Sequence, residues 1–123
     1  MTKIMIVDDD KLVTDLLEKL LSIEGFQTIS INESAKAVET AKRTNPDIFL
    51  LDLMMPQPDG FRLCRMLREE PQFAFTPIII ITALDDGDSR AVAFGAGAND
   101  YLTKPFHPDE LIERIKEYID VAE

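Results

Sequence analysis

"IFLLDLMMPQPDG", residues 48–60, sets four consecutive apolar residues directly before Asp52 and follows with two prolines, an aspartate and a glycine. An apolar run without alternation suits a central strand of a parallel sheet, because both faces of such a strand are buried. "PIIIIT", residues 77–82, has the same character. The first run delivers Asp52 to the carboxyl end of its strand, where an isolated ionised carboxylate would cost several kcal/mol to desolvate. Asp52 must therefore be wet, paired or bound to a metal.

Outward from that stretch, short β-rich runs alternate with helical patterns. "KIMIV" (3–7), "QTISI" (27–31), "DIFLL" (47–51), "PIIII" (77–81) and "DYL" (100–102) read as strands. Leu12, Leu16, Leu17, Leu20, Leu21 and Ile23 recur at helical spacing, as do Ala37, Val38 and Ala41, then Phe61, Leu63, Cys64 and Leu67. "DGDSRAVAFG" (86–95) is a weaker amphipathic helix, and Leu111, Ile112, Ile115, Tyr118 and Ile119 define the last one. Asp10 stands where a cap opens the first helix, Gly25 closes it, and Pro108, Asp109 and Glu110 suit the first turn of the last. Five strands and five helices in strict alternation predict an α/β fold. Its parallel sheet is doubly wound, with right-handed crossovers and helices on both faces. In such a sheet ligands bind beyond the carboxyl ends of the strands, where strand order reverses.

A chain of 123 residues is sized for one domain, residues 1–123. It is 46% hydrophobic and 29% charged, the balance of a folded globular chain. Its 23 acidic residues against 13 Lys and Arg give a formal charge of -10, which repels phosphate backbones and argues against direct nucleic-acid binding. One cysteine cannot form an internal disulfide, the start "MTKIMIVDDD" is not a signal peptide, and no run approaches the ~20 apolar residues of a membrane helix. A cytoplasmic protein without membrane contact is expected.

The strand ends carry Asp8, Asp9 and Asp10 after the first strand, Asp52 after the third, Thr82 after the fourth and Lys104 after the fifth. The fold brings them to one rim. Several carboxylates in one cleft raise one another's pKa unless a cation keeps them ionised. Mg²⁺ suits an all-oxygen set, and nothing offers the His and Cys spacing of zinc. Asp52 then has the makings of an oxygen nucleophile toward a phosphoryl group, with Lys104 and Thr82 contacting its oxygens.

On "IMIVDDD", "PDIFLLDLMMPQPDGF", "TPIIIITA" and "FGAGANDYLTKPF", the chain resembles the receiver domains of two-component response regulators over essentially its whole length. The resemblance implies a flavodoxin-like (βα)5 fold with strand order 2-1-3-4-5. It implies Asp52 as the phosphoacceptor, with Asp9 binding Mg²⁺ directly, Asp8 through water and Met54 through its backbone carbonyl; Mn²⁺ would be a substitute ion. Lys104 matches the lysine that meets the phosphoryl group, Thr82 the hydroxyl that turns inward, and Tyr101 the aromatic that reorients with it. The Lys104–Pro105 bond is commonly cis in the family.

Partners follow by the same resemblance. A sensor histidine kinase or a histidine phosphotransfer protein would donate, and the face of helix 4, strand 5 and helix 5 would switch an output domain or protein. On that face Arg90 with Glu110, and Asp100 with Arg114, match two charge pairs through which related receivers dimerise. Asp86 and Gly95 stand where a third pair would be, which leaves homodimerisation open. Met54 and Leu84 are apolar at positions that influence water access to the phosphoryl group, so slow spontaneous phosphate loss is expected. Such a domain assists its own phosphotransfer and dephosphorylation but is not otherwise an enzyme. It can be a stand-alone regulator or part of a longer protein.

Plainer readings attach to other residues. Asp10 reads as a helix cap, and Asp59-Gly60 as a turn and helix entry. Cys64 and Met66 read as packing or partly exposed residues, and His107 as neither ligand nor phosphodonor. A haloacid-dehalogenase-like phosphatase would need an acid where Met54 stands. A flavodoxin-like redox protein would need a Ser/Thr/Gly-rich loop where Asp8-Asp9-Asp10 stands, and a phosphate-loop nucleotidase needs a G-x-x-x-x-G-K-[ST] motif that is missing.

Overall fold

The computed structural model describes residues 1–119; residues 120–123, included in the expected single domain, lie outside them. Five strands form one parallel sheet in the order β2-β1-β3-β4-β5. They are β1 (Lys3–Val7), β2 (Gln27–Ile31), β3 (Ile48–Leu51), β4 (Ile78–Thr82) and β5 (Asp100–Thr103). Between them run α1 (Lys11–Ile23), α2 (Ala37–Thr44), α3 (Gly60–Glu69) and α4 (Gly87–Gly95), and α5 (Pro108–Ile119) follows β5. Two short 3₁₀ turns, Ser34–Lys36 and Pro71–Phe73, were not legible in the sequence.

The period-2 geometry of strands sorts the core into two layers. Ile4, Ile6, Ile48, Leu50, Ile79 and Ile81 face Leu17 and Leu21 of α1 and Leu111, Ile112 and Ile115 of α5. Met5, Val7, Phe49, Leu51, Ile78 and Ile80 face the other side, where Ala37 and Ala41 of α2, Leu63, Cys64 and Leu67 of α3 and Ala93 of α4 close the layer. Both faces of β3 and β4 are buried throughout, as their unbroken apolar runs require.

Strand limits move by one residue from those expected. Pro77 has no N–H to donate, so β4 opens at Ile78 and extends to Thr82. Asp47 stays outside β3, where its carboxylate accepts the Lys3 amide at 2.8 Å. At α1, Asp10 caps by accepting the Leu12 amide at 3.0 Å, and Gly25 ends the turn at φ +91°, a conformation that favours glycine. The apolar stripe of α1 is wider than its buried face: Leu12, Leu16 and Ile23 are 79%, 67% and 81% exposed. No helix among the described residues is long and apolar enough to cross a membrane.

Candidate functional site

Strand order reverses between β1 and β3, and the cleft lies beyond their carboxyl ends. Val7 and Leu51 are register partners, so the next residue of each strand emerges side by side. The Asp52 amide donates back to the Val7 carbonyl at 3.1 Å, and the Asp8 amide to Ile31 at 3.1 Å. This places carboxylate oxygens of Asp8, Asp9 and Asp52 all within 4.8 Å of one another. Asp8 and Asp52 are buried, while Asp9 faces solvent.

Lys104 reaches in from the end of β5. Its Nζ lies 3.0 Å from Asp8 Oδ2 and 3.4 Å from Asp52 Oδ2. The other oxygens are held by backbone: Asp8 Oδ1 accepts the Asp10 amide at 2.9 Å, and Asp52 Oδ1 the Met54 amide at 3.2 Å. Burial pushes the Asp8 carboxyl above its ordinary range, and the Asp10 amide and Lys104 only partly offset it. Burial would depress the Lys104 ammonium, but its bonds to Asp8 and Asp52 and their charges leave its pKa raised. Three carboxylates facing one ammonium leave two formal negative charges, which a hard divalent cation matches with oxygen donors alone. The donor set therefore fits Mg²⁺.

Of the remaining predicted residues, Thr82 and Met54 lie at or after strand ends, while Tyr101 stands within β5 opposite Ile80. Thr82 is wholly buried at the end of β4, with its Oγ1 3.4 Å from the Leu84 amide. Tyr101 lies inward, 4% exposed, and its hydroxyl donates to the Leu84 carbonyl at 2.6 Å. Burial raises the Tyr101 phenol, against the opposing charge of Arg90. The Met54 side chain is exposed in the loop after β3. Among the described residues, Asp8, Asp9 and Asp52 form the one cluster with metal-ligand geometry, and His107 is not in it. The His107 carbonyl instead accepts the Glu110 and Leu111 amides in the first turn of α5. Two peptide bonds among the described residues are cis, Lys104–Pro105 as the resemblance implied and Gln57–Pro58, which nothing in the sequence marked.

On the face of α4, β5 and α5, Arg114 pairs with Asp100 at 2.6 Å and with Glu110 at 3.5 Å. Arg90 does not meet Glu110 within the chain. Its guanidinium lies 4.5 Å over the Tyr101 ring and donates to Thr103 Oγ1 at 3.1 Å.

Two supporting residues escaped the sequence reading, and a third is needed for a reason the sequence did not show. Asn32 Nδ2 donates to the Asp8 carbonyl at 2.9 Å and to Thr14 Oγ1 at 3.0 Å, fixing the acidic loop against α1. The Ser34 hydroxyl lies 2.9 Å from the Pro56 carbonyl and 2.7 Å from that of Pro58, steadying the loop after β3. Gly60 opens α3 behind the capping Asp59, as its reading as a turn and helix entry expected, and its φ is not in the left-handed region. Its reason is steric: a Cβ there would overlap the Asp52 carbonyl oxygen.

A doubly wound parallel sheet with an acidic, cation-matched cleft and a lysine at its switch point defines a class of signalling domain. The chain belongs to the response regulator receiver domain family of two-component systems, matching it over residues 4–116. It is 42% identical over 113 residues to the transcriptional regulatory protein GltR of Pseudomonas aeruginosa, covering 92% of this chain and 47% of that protein. The chain spans about half the length of the curated relatives it matches. A response regulator of Chloroflexus aurantiacus superposes with a TM-score of 0.92 at 35% identity, over 97% of this chain and 98% of that one. The receiver domain of the sensor histidine kinase PA1611 from Pseudomonas aeruginosa superposes with a TM-score of 0.89 at 30% identity, over 97% and 98% of the two chains, and carries a magnesium ion in its active-site cleft.

Proposed function

We propose that this receiver, a single domain over residues 1–123, accepts a phosphoryl group on Asp52 from a phosphohistidine of a sensor histidine kinase or phosphotransfer protein. One observation carries the reading: Asp52 is buried at a strand end beside Asp8, Asp9 and Lys104, with both of its oxygens directed by named donors. An Asp52 oxygen attacks phosphorus; the P–O bond forms as the P–N bond breaks, and the imidazole nitrogen leaves with the electron pair. Asp8, Asp9, Asp52 and the Met54 carbonyl are the groups to hold Mg²⁺, which when bound neutralises charge on the transferring oxygens. Lys104 exchanges its contact with Asp52 for one with a phosphoryl oxygen, and Thr82 supplies a hydroxyl to another. Neither Met54 nor Leu84 has a side-chain group to orient an attacking water, so the acyl phosphate is long-lived.

The consequence is a population shift rather than turnover of an outside substrate. Thr82 and Tyr101 transmit it to the face bearing Arg90, Asp100, Glu110 and Arg114, where an output domain, an output protein or a second copy binds. GltR is a transcriptional regulator about twice this chain's length, which favours a transcriptional output.

The test is intact-mass spectrometry after incubation with acetyl phosphate and Mg²⁺. One added phosphate is expected on the wild type, none on Asp52→Asn, and none after chelation. Unchanged labelling of Asp52→Asn would overturn the assignment.

A further inference from the structure

We infer that Arg90 is a positioning residue that clasps α4 to β5 across Tyr101, fixing the ring inward and tying α4 to the loop after β4. The inference rests on the proposed function only in taking this face as the output surface.

The weak attachment of α4 makes the clasp matter. Of its nine residues only Ala93 is buried, and Val92 and Phe94 are 44% and 46% exposed. An exposed arginine ordinarily leaves its head in water. Arg90 instead stacks on Tyr101 at 4.5 Å while donating to Thr103 at 3.1 Å, so one side chain meets two residues of β5. The ring beneath it is fixed from the other end, because its hydroxyl donates to the Leu84 carbonyl, two residues after Thr82. Phe94 adds a tilted contact, its centroid 6.4 Å from that of Tyr101. Arg90, Tyr101 and Leu84 thus form a continuous link from α4 to the end of β4. A ring swung out to solvent would lose both the Leu84 bond and the stack together. The planar guanidinium also matters: it can stack and donate at once, whereas a lysine ammonium is a point charge.

The chain has two tyrosines and no tryptophan, so Tyr118→Phe leaves Tyr101 as the only strong intrinsic fluorophore. In that background, acrylamide quenching reads exposure of the ring, and hydrogen exchange of residues 87–95 reads the helix. Arg90→Ala should raise the quenching constant about two- to fivefold, the population change one exposed cation–π contact supports. It should also speed exchange in α4. Arg90→Lys should recover part of both effects, and Thr103→Val should give a smaller rise. Unchanged quenching and exchange in a cooperatively melting Arg90→Ala would overturn the clasp. Should that variant lose its cooperative melt, Arg90→Lys and Thr103→Val decide by the same readouts, and parent values in both would overturn it. No phosphoryl donor is present, so failure of the clasp and failure of Asp52 labelling are separate outcomes.

Discussion

Cys64 shows how much a single buried atom can report. It is fully enclosed in α3, where its Sγ donates to the Ala96 carbonyl at 3.5 Å. Burial pushes the thiol from an ordinary 9.0 up to about 11, against the pull of Arg68 and Arg65. The unfolded thiol therefore ionises first as pH rises. The stabilisation is complete below 9.0 and is lost progressively up to about 11. A shift of that size corresponds to roughly 2–3 kcal/mol at most. Urea unfolding of wild type and Cys64→Ala should show the wild type's advantage narrowing by about 1–2 kcal/mol between neutral pH and about pH 10.5. A constant difference between the two proteins would remove this role. Gly60 carries a complementary lesson. Sequence marked it as a turn and helix entry, which α3 bears out, but the requirement for glycine comes from the Asp52 backbone lying against it, a contact no local pattern encodes.

At the scale of elements, α1 is apolar on more than the face it buries. Leu17 and Leu21 bury its inner face, while Leu16 is exposed and lines an apolar groove with Val13, Leu20, Pro105 and Phe106 beside Lys104. If a protein donates to Asp52 as proposed, it approaches this rim, whereas acetyl phosphate need not touch it. Leu16→Glu should therefore slow transfer from a phosphohistidine protein about tenfold or more, a loss of ~1.4 kcal/mol or more in transition-state contact, while leaving acetyl phosphate labelling unchanged. Equal slowing with both donors would locate the defect in the cleft instead. The elements themselves were legible because their signals are local: unbroken apolar runs for β3 and β4, the cap at Asp10, the first-turn Pro108, and the glycine after α1. Ties between elements were not. Arg68 of α3 donates to the carbonyls of Phe73 and Gly97 at 2.8 and 2.9 Å and to Asn99 Oδ1 at 2.6 Å. Nothing near residue 68 announces partners about thirty positions away. The wide stripe of α1 misleads in the opposite direction, since spacing marks a helix but not which apolar residues are covered.

For the whole molecule, the cleft exists only when the chain is folded. Asp8 and Asp9 follow β1 and Asp52 follows β3, so the unfolded chain has no such cleft and a cation bound there would be linked to folding. Burial raises the Asp8 carboxyl, and the Asp10 amide and Lys104 offset only part of that. Mg²⁺ binding at a hundred times its dissociation constant would stabilise the native state by about 2.7 kcal/mol. The overall charge of -10 supplies a competing explanation, because any salt screens self-repulsion. The two separate by saturation and by mutation. Thermal midpoints should rise with Mg²⁺ along a binding curve, exceed those in NaCl of equal ionic strength, and lose the excess in Asp9→Asn, whose side chain is exposed and whose fold should be unaffected. An Asp9→Asn variant that gains as much from Mg²⁺ as the wild type would mean that the ion acts on the general field, not in the cleft.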